Sequence, residues 1–79
     1  MPRYFFDTRD GDTFIADDIG REFPGLDEVK AEAALSLADL ARDVLPEVRR
    51  RVLIVEVRDE SRPVLEARLT FEAVLLVSP

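Results

Sequence analysis

The chain has 79 residues, 47% of them apolar and 35% charged, which is the composition of one small folded domain and not of a disordered segment. Its 17 acidic residues outnumber its 11 basic ones, so the formal net charge of -6 should repel nucleic acid and anionic membranes unless the Arg residues cluster. The sequence contains no His, Cys, Trp, Asn or Gln, which removes most side chains that enzymes use as nucleophiles, near-neutral proton carriers or transition-metal ligands.

A domain of this size has a modest core. It buries only about 60–65% of its unfolded surface, and without Cys it has no disulfide or thiolate metal site to stabilise it. Oligomerisation is the remaining common way to support so small a core, so we expect self-association. No run approaches the roughly 18 apolar residues of a membrane span. The apolar stretch after Met1 is short and is followed by Asp7, unlike the apolar region of a signal peptide. We therefore expect a cytoplasmic protein with no membrane partner.

The N-terminal segment predicts a β-hairpin. Residues 3–8 are rich in aromatic side chains, as strands often are, and residues 13–17 form the returning strand. Asp10 and Gly11 between them are the dipeptide most typical of a two-residue turn. Gly11 can adopt the positive φ that a type I′ turn requires, so a turn of that type is expected.

Residues 18–25 contain Gly20, Pro24 and Gly25 and are predicted to form a loop. Leu26, which follows directly, is a candidate core residue.

Residues 27–45 are predicted to form a helix. Asp27 is the expected N-cap, because its carboxylate can accept from the free backbone N–H groups of the first turn. Pro46 cannot continue a helix and ends it near Leu45. Apolar residues at spacings of three and four indicate one buried stripe, formed by Val29, Ala33, Leu37, Leu40 and Val44.

The C-terminal half predicts a second hairpin, with strands at residues 51–58 and 64–71. Charge favours the register that opposes Glu56 with Arg68 and Arg58 with Glu66, since a shift of two residues would oppose Glu56 with Glu66. This register implies a loop of about five residues around Pro63. Alternation places one apolar set on a shared face: Leu53, Val55, Val57, Leu65, Ala67, Leu69 and Phe71.

The predicted fold is α+β with the order β-β-α-β-β. One helix, residues 27–45, packs on one face of a four-stranded, mostly antiparallel sheet. The other face has no second helix to cover it and is half apolar, with one aromatic set from the first strand, either Tyr4 and Phe6 or Phe5. Residues 71–77 read as a strand extension or a short helix, and they are too apolar to remain in solvent, so they either cap the core or meet another chain.

We therefore predict a homodimer that forms through the outer face of the sheet or through an edge strand. The candidate interaction residues are Tyr4, Phe6, Val52, Ile54, Val64, Leu75 and Val77.

The sequence gives weak support for catalysis or ligand binding, so we expect no catalytic residue, metal site or cofactor. Residues 7–18 contain five Asp, but aligning Gly11 with the invariant Gly of an EF-hand loop puts Phe6 at the first ligand position. Paired carboxylates can hydrolyse substrates, yet one sheet layer and one helix leave little room for a cleft. Lys30 is the single lysine and is predicted to be exposed. Residues 49–51 are the one basic run and follow the helix C-terminus, where cations are favoured, so no nucleic-acid partner is expected.

Short motifs along nearly the whole chain resemble a family of short proteobacterial proteins catalogued as domain of unknown function 6894. The resemblance implies a compact α+β domain with no assigned activity and therefore no catalytic residue. Members of this family often carry His at the position of Asp7, so this chain is a poor candidate for any chemistry of that His. The motifs are Pro2–Phe6, Asp10–Asp12, Asp18–Gly20, Leu26–Asp27, Ala31–Ala33, Val57–Glu60, Val64–Leu65 and Phe71–Ala73.

The chain is similar, more weakly, to antitoxin domains of the HicB-like kind. Those domains also open with aromatic strands, followed by an acidic loop with Gly and Pro, here residues 18–25, and by an Ala-rich helix. They usually have three strands before the helix, whereas two are predicted here, and no appended DNA-binding segment is expected. The leading hypothesis is a non-enzymatic module that associates with itself and binds another protein. The alternatives are an antitoxin-like or regulatory domain that binds a basic partner through the acidic hairpin and helix, and a carboxylate-based, metal-dependent hydrolase.

Overall fold

The computed structural model describes residues 1–78 as one antiparallel sheet with one α-helix packed on it. The predicted α+β class and the predicted helix are confirmed, and one short strand is added within the segment predicted as a loop. The elements in chain order are β1 (Arg3–Asp10), β2 (Thr13–Ile15), β3 (Arg21–Glu22), α1 (Leu26–Val44), a 3-10 helix (Leu45–Glu47), β4 (Arg50–Arg58) and β5 (Pro63–Glu72).

The sheet has the strand order β2-β1-β4-β5, so β4 is central and β5 forms one edge. At the other edge, β1 is covered by two short strands. β3 pairs with the start of β1 at Arg3 and Tyr4, and β2 pairs with its end from Thr8 to Asp10. The two edges of the sheet therefore differ, since one is covered in two pieces and the other is a single ten-residue strand.

The β1–β2 connection is a two-residue turn, as predicted, but it is not of type I′. Asp10 pairs with Thr13, which leaves Gly11 and Asp12 as the central residues. Gly11 has φ of +58°, whereas no residue other than glycine has a positive φ in residues 1–78. A type I′ turn needs a positive φ at both central positions, and a type II′ turn needs it at the first alone. The backbone therefore matches type II′.

The core lies between α1 and β4. Val29 and Ala33 are fully buried against the sheet, and Leu53 and Val57 on β4 are fully buried beneath the helix. The whole predicted helical stripe lies in this core or packs against it, which confirms the apolar periodicity. Neither helix in residues 1–78 combines the length with the apolarity that a transmembrane helix requires.

The helix begins one residue earlier than predicted, and its N-cap residue is not the predicted one. Helical residues begin at Leu26, the N-cap position is Gly25, and no side chain caps it. Asp27 lies in the first turn instead, where its charge still favours the positive end of the helix. At the other end, Leu45 and Pro46 continue into the short 3-10 helix, so the break near Leu45 is confirmed.

Phe23, and not Leu26, fills the space beside the start of the helix. Leu26 is 53% exposed, whereas Phe23 is 9% exposed and belongs to the core. Its ring packs against Tyr4 and Phe6, with ring centroids 6.3 and 5.6 Å away and both pairs tilted. Tilted aromatic pairs stabilise a core beyond the area they bury. β3 places Phe23 directly over β1 in this way.

The predicted register of the second hairpin is wrong, although the predicted faces are right. Glu56 lies opposite Glu66, and Leu53 lies opposite Leu69, so the apolar faces still match. The turn explains the difference. The carboxylate of Asp59 accepts from the backbone N–H groups of Ser61 and Arg62 at 2.7 and 2.8 Å, which closes a turn shorter than the predicted one.

Tyr4 and Phe6 do not lie on the outer face of the sheet. Phe6 is opposite Val57, and paired residues of neighbouring strands project to the same face. Because Val57 is buried under the helix, both aromatic residues face the helix, and Tyr4 is only 7% exposed. The alternative that was left open is the correct one, since Phe5 lies on the outer face opposite Arg58.

Candidate interaction surface

The edge of β1 is completed by a side chain. Phe6 lies between the stretch of β1 that pairs with β3 and the stretch that pairs with β2. Its backbone N–H donates to Oδ2 of Asp17 at 3.1 Å. Oδ1 of Asp17 accepts from the backbone N–H groups of Ile19 and Gly20, both at 3.0 Å. One carboxylate thus joins the loop to the strand and takes the place of a missing strand residue.

An ion pair between a buried carboxylate and a partly exposed guanidinium supports this loop from the outer face of the sheet. Asp7 is 7% exposed and accepts from the backbone N–H of Asp17 at 2.9 Å and from Nε of Arg58 at 2.9 Å. Arg58 also donates to the carbonyl of Asp17 at 2.9 Å, and its guanidinium lies 4.6 Å from the ring centroid of Phe5. The hydrogen bond that Arg58 donates to the carboxylate of Asp7 is the main cause that raises the pKa of Arg58 above its usual value.

Asp17 is held ionised by this arrangement. Burial works against its charge, but the backbone N–H groups of Gly20, Phe6 and Ile19 outweigh burial and lower the pKa of Asp17 below its usual value. The charge of Arg58 acts in the same direction. The network therefore fixes the loop most firmly when Asp17 is deprotonated.

The acidic hairpin is mostly occupied by internal contacts. Asp7 and Asp17 accept the hydrogen bonds described above, and Asp10 pairs with Arg51. Within residues 1–78, no three acidic side chains are grouped so that they could hold a metal ion. The basic run is also engaged in part, because Arg50 pairs with Glu72 at 2.6 Å.

β5 exposes its backbone along the other edge of the sheet. The N–H of Ala73 donates to the carbonyl of Arg49 at 2.7 Å, so the backbone of Ala73 points towards β4. Backbone groups alternate in direction along an antiparallel strand. The odd residues of β5 therefore point towards β4, and the even residues Glu66, Arg68 and Thr70 direct their N–H and C=O groups to the open edge. Such a row of unpaired groups is a template for another strand.

The outer face of the sheet carries both apolar and charged side chains. Val52 and Ile54 are half-buried there, among two ion pairs. Arg9 pairs with Glu56 at 3.3 Å, and Arg68 pairs with Glu66 at 2.9 Å. No helix of residues 1–78 covers this face, and the edge of β5 and the segment that follows it are likewise uncovered.

The apolar segment after β5 lies away from the core. Leu75 and Val77 are 62% and 76% exposed, and Leu76 between them is 94% exposed. Of residues 71–77, Phe71 and Glu72 continue β5, as one of the two predicted alternatives had it, whereas residues 73–77 form neither strand nor helix. Of the other predicted surface residues, Val64 is half-buried and packs against the core. The segment does not cap the core, which leaves contact with another chain as its predicted role.

The two flanks of α1 differ in chemistry. One flank faces β1, because Glu32 pairs with Arg21 of β3 at 2.8 Å and lines a groove together with Ser36 and Asp17. Helix geometry puts the opposite flank on the side of β5. That flank contains Ala34, Ala38 and Ala41, of which the first two are exposed.

Comparison with known proteins gives a family match. Residues 3–70 match the family model described as Domain of unknown function (DUF6894), which confirms the resemblance seen in the short motifs. No curated protein and no solved structure matches the chain.

Proposed function

Because the chain belongs to the DUF6894 family, whose function is unknown, we propose a function from its own surface: a small non-enzymatic module that associates with itself. The observation that carries the proposal is the open edge of β5, a ten-residue strand with unpaired backbone groups. Extended strands recognise one another through such edges by main-chain hydrogen bonds. The cytoplasmic location expected from the sequence stays a prediction.

Two further features support self-association. The edge of β1 is covered by β2, β3 and Asp17, so β5 is the long strand whose outer edge stays uncovered. The exposed segment from Val74 to Val77 adjoins that edge and is entirely apolar. A contiguous exposed apolar segment beside an open edge is typical of a contact surface.

A single substitution should weaken strand pairing at the β5 edge without unfolding the monomer. The N–H of Thr70 points to the open edge, so Thr70→Pro removes that donor without removing a hydrogen bond to β4. In a symmetric dimer two such bonds disappear, which weakens association roughly thirtyfold at about 1 kcal/mol each. Thr70→Val keeps the N–H and is the matched control.

Sedimentation equilibrium at micromolar to millimolar concentration measures the effect, with circular dichroism as the check on folding. We expect the wild type and Thr70→Val to form the same dimer, and Thr70→Pro to be a folded chain that dimerises weakly. A wild type that stays monomeric throughout this range contradicts the proposal.

A second candidate is a regulatory domain that binds a basic partner. Its support comes from α1, whose exposed surface carries Asp27, Glu28 and Asp43, whereas the acids of the hairpin are largely engaged. β3 also gives the chain three strands before the helix, the number usual in HicB-like antitoxin domains. Co-expression tests it: relief of a neighbouring gene product's toxicity by the wild type, and not by an Asp27→Lys, Asp43→Lys double variant, supports this role. Equal relief by both contradicts binding through the helix.

A further inference from the structure

We propose that two copies of this chain pair their β5 strands in antiparallel orientation about a two-fold axis at Ala67, and so form one continuous sheet. The inference rests on the proposed self-association and adds its partner, its register and its geometry. It is argued from the direction of the backbone groups, the order of charges along β5 and the position of α1.

The order of charges along β5 favours this register over its immediate neighbours. With the axis at Ala67, Glu66 lies opposite Arg68 of the second copy, and Leu65 lies opposite Leu69 of the second copy. Both Glu66 and Arg68 direct their backbone groups to the open edge, so they form a hydrogen-bonded pair. Opposite charges stabilise such a pair, and like charges destabilise it.

The neighbouring registers are rejected by the same charges. Strand pairing requires that residues with outward-directed backbone groups lie opposite one another. This requirement is still met when the two-fold axis moves by one residue along β5. An axis at Glu66 brings two Glu66 side chains face to face, and an axis at Arg68 does the same for two Arg68 side chains. The axis at Ala67 avoids both repulsions and keeps the apolar residues on the helix side.

The helices are placed so that they also meet. A two-fold axis perpendicular to the sheet puts both copies of α1 on the same face, and α1 packs mainly on β4 and β5. With strands about 4.8 Å apart, the two helix axes lie roughly 9–10 Å from each other, which is the usual distance between packed helices. The flank that faces this contact contains Ala34, Ala38 and Ala41, whose small side chains permit that approach.

The assembly closes at two copies. Pairing consumes both β5 edges, and the ends of the joined sheet are then the two β1 edges. Each of those is covered by β2 and β3 and completed by the carboxylate of Asp17. A closed two-fold dimer therefore leaves only the short outer edges of β2 and β3, and strands this short limit further growth, unlike a head-to-tail contact.

Single cysteines test the register, because the natural chain has no thiol. With the axis at Ala67, the two Cα atoms of residue 67 lie about 4.5 Å apart, within reach of a disulfide. The two copies of residue 66, and likewise of residue 68, are about 8 Å apart along the diagonal, beyond that reach. We therefore compare Ala67→Cys with Glu66→Cys and Arg68→Cys under mild oxidation.

We expect Ala67→Cys to form a disulfide-linked dimer and the other two variants to remain largely unlinked. A mixture of Leu65→Cys and Leu69→Cys chains should link in the same way, which covers the case in which residue 67 is too confined for the bridge. Preferential linking of Glu66→Cys or Arg68→Cys overturns the register while the dimer stands. A wild type that sediments as a monomer overturns the proposed self-association itself.

Discussion

The backbone N–H of Phe6 donates to the carboxylate of Asp17 at 3.1 Å, across a separation of eleven residues. This contact lies where β1 has neither β2 nor β3 as a neighbour. The carboxylate satisfies a strand N–H that would otherwise be open to pairing. It is therefore part of the difference between the two sheet edges on which the proposed assembly depends.

Replacing Asp17 by Asn should destabilise the fold by about 1–3 kcal/mol, the usual effect of leaving a partly buried donor unsatisfied. Asn has one acceptor oxygen, whereas Asp17 uses one oxygen for Phe6 and the other for Ile19 and Gly20. Urea unfolding measures the change. Asp18→Asn is the control, because Asp18 is exposed. Equal stability of the two variants contradicts the role given to Asp17.

Stability should fall in acid through the same group. The folded pKa of Asp17 is lowered, so the unfolded chain takes up a proton at higher pH than the folded chain does. The stabilisation is complete above the unfolded value of about 3.9 and is lost as pH falls through the lower folded value. The backbone N–H groups of Ser61 and Arg62 lower the pKa of Asp59 and add to the same trend. Urea midpoints between pH 6 and pH 2 should drop for the wild type and drop less for Asp17→Asn, and parallel curves contradict the prediction.

Gly20 is required by both its backbone and its neighbours. Its φ is +71°, and a Cβ atom there would lie 2.8 Å from the ring of Phe5 and 2.9 Å from the carbonyl oxygen of Tyr4. Gly20→Ala should therefore cost more than the roughly 1 kcal/mol of the strained φ alone. Gly25→Ala is the matched control, since Gly25 is extended and a Cβ meets only a Glu28 side chain at 3.4 Å. Thermal unfolding measures both changes, and a lower melting temperature for Gly25→Ala than for Gly20→Ala would contradict this prediction.

Reversing the charge at position 66 or 68 should change which copies of the chain form dimers. Glu66→Arg places Arg opposite Arg68 of the second copy, and Arg68→Glu places Glu opposite Glu66, so each variant alone should dimerise weakly. Mixed in equal amounts, the two variants have opposite charges at every such pair and should form a heterodimer. Native mass spectrometry at low ionic strength distinguishes the species, because salt screens exposed charges. Homodimers that persist in each variant alone are incompatible with the pairing.

Local patterns predicted most of the architecture. The spacing from Val29 to Val44 indicated the buried face of α1, and the alternation in β4 and β5 indicated their shared apolar face. β3 was missed because two residues, Arg21 and Glu22, have no measurable periodicity. Phe23 was missed for a related reason, since it lies in a segment whose Gly and Pro residues are typical of a loop.

Strand register, the face of β1 and the contacts of Asp17 could not be read from the sequence. The register of the second hairpin depends on the hydrogen bonds of Asp59, and the charges adapt to it: Glu56 pairs with Arg9 of β1 instead of Arg68. The sequence left open which residues of β1 face the helix. The pairing of Phe6 with Val57 shows that Tyr4 and Phe6 do. Asp17 has the sequence signature of a solvated acid. Its carboxylate contacts with Ile19 and Gly20 are local, whereas its contact with Phe6 depends on how the loop packs beside β1.

Amide hydrogen exchange resolved by residue tests the β5 edge most directly. The N–H groups of Glu66, Arg68 and Thr70 point to the open edge, whereas those of Ala67 and Leu69 point to β4. We expect exchange at the three edge amides to slow as protein concentration rises into the dimer range, while Ala67 and Leu69 are protected at every concentration. Edge amides that exchange at the rate of open solvent even in the most concentrated sample would contradict pairing through β5.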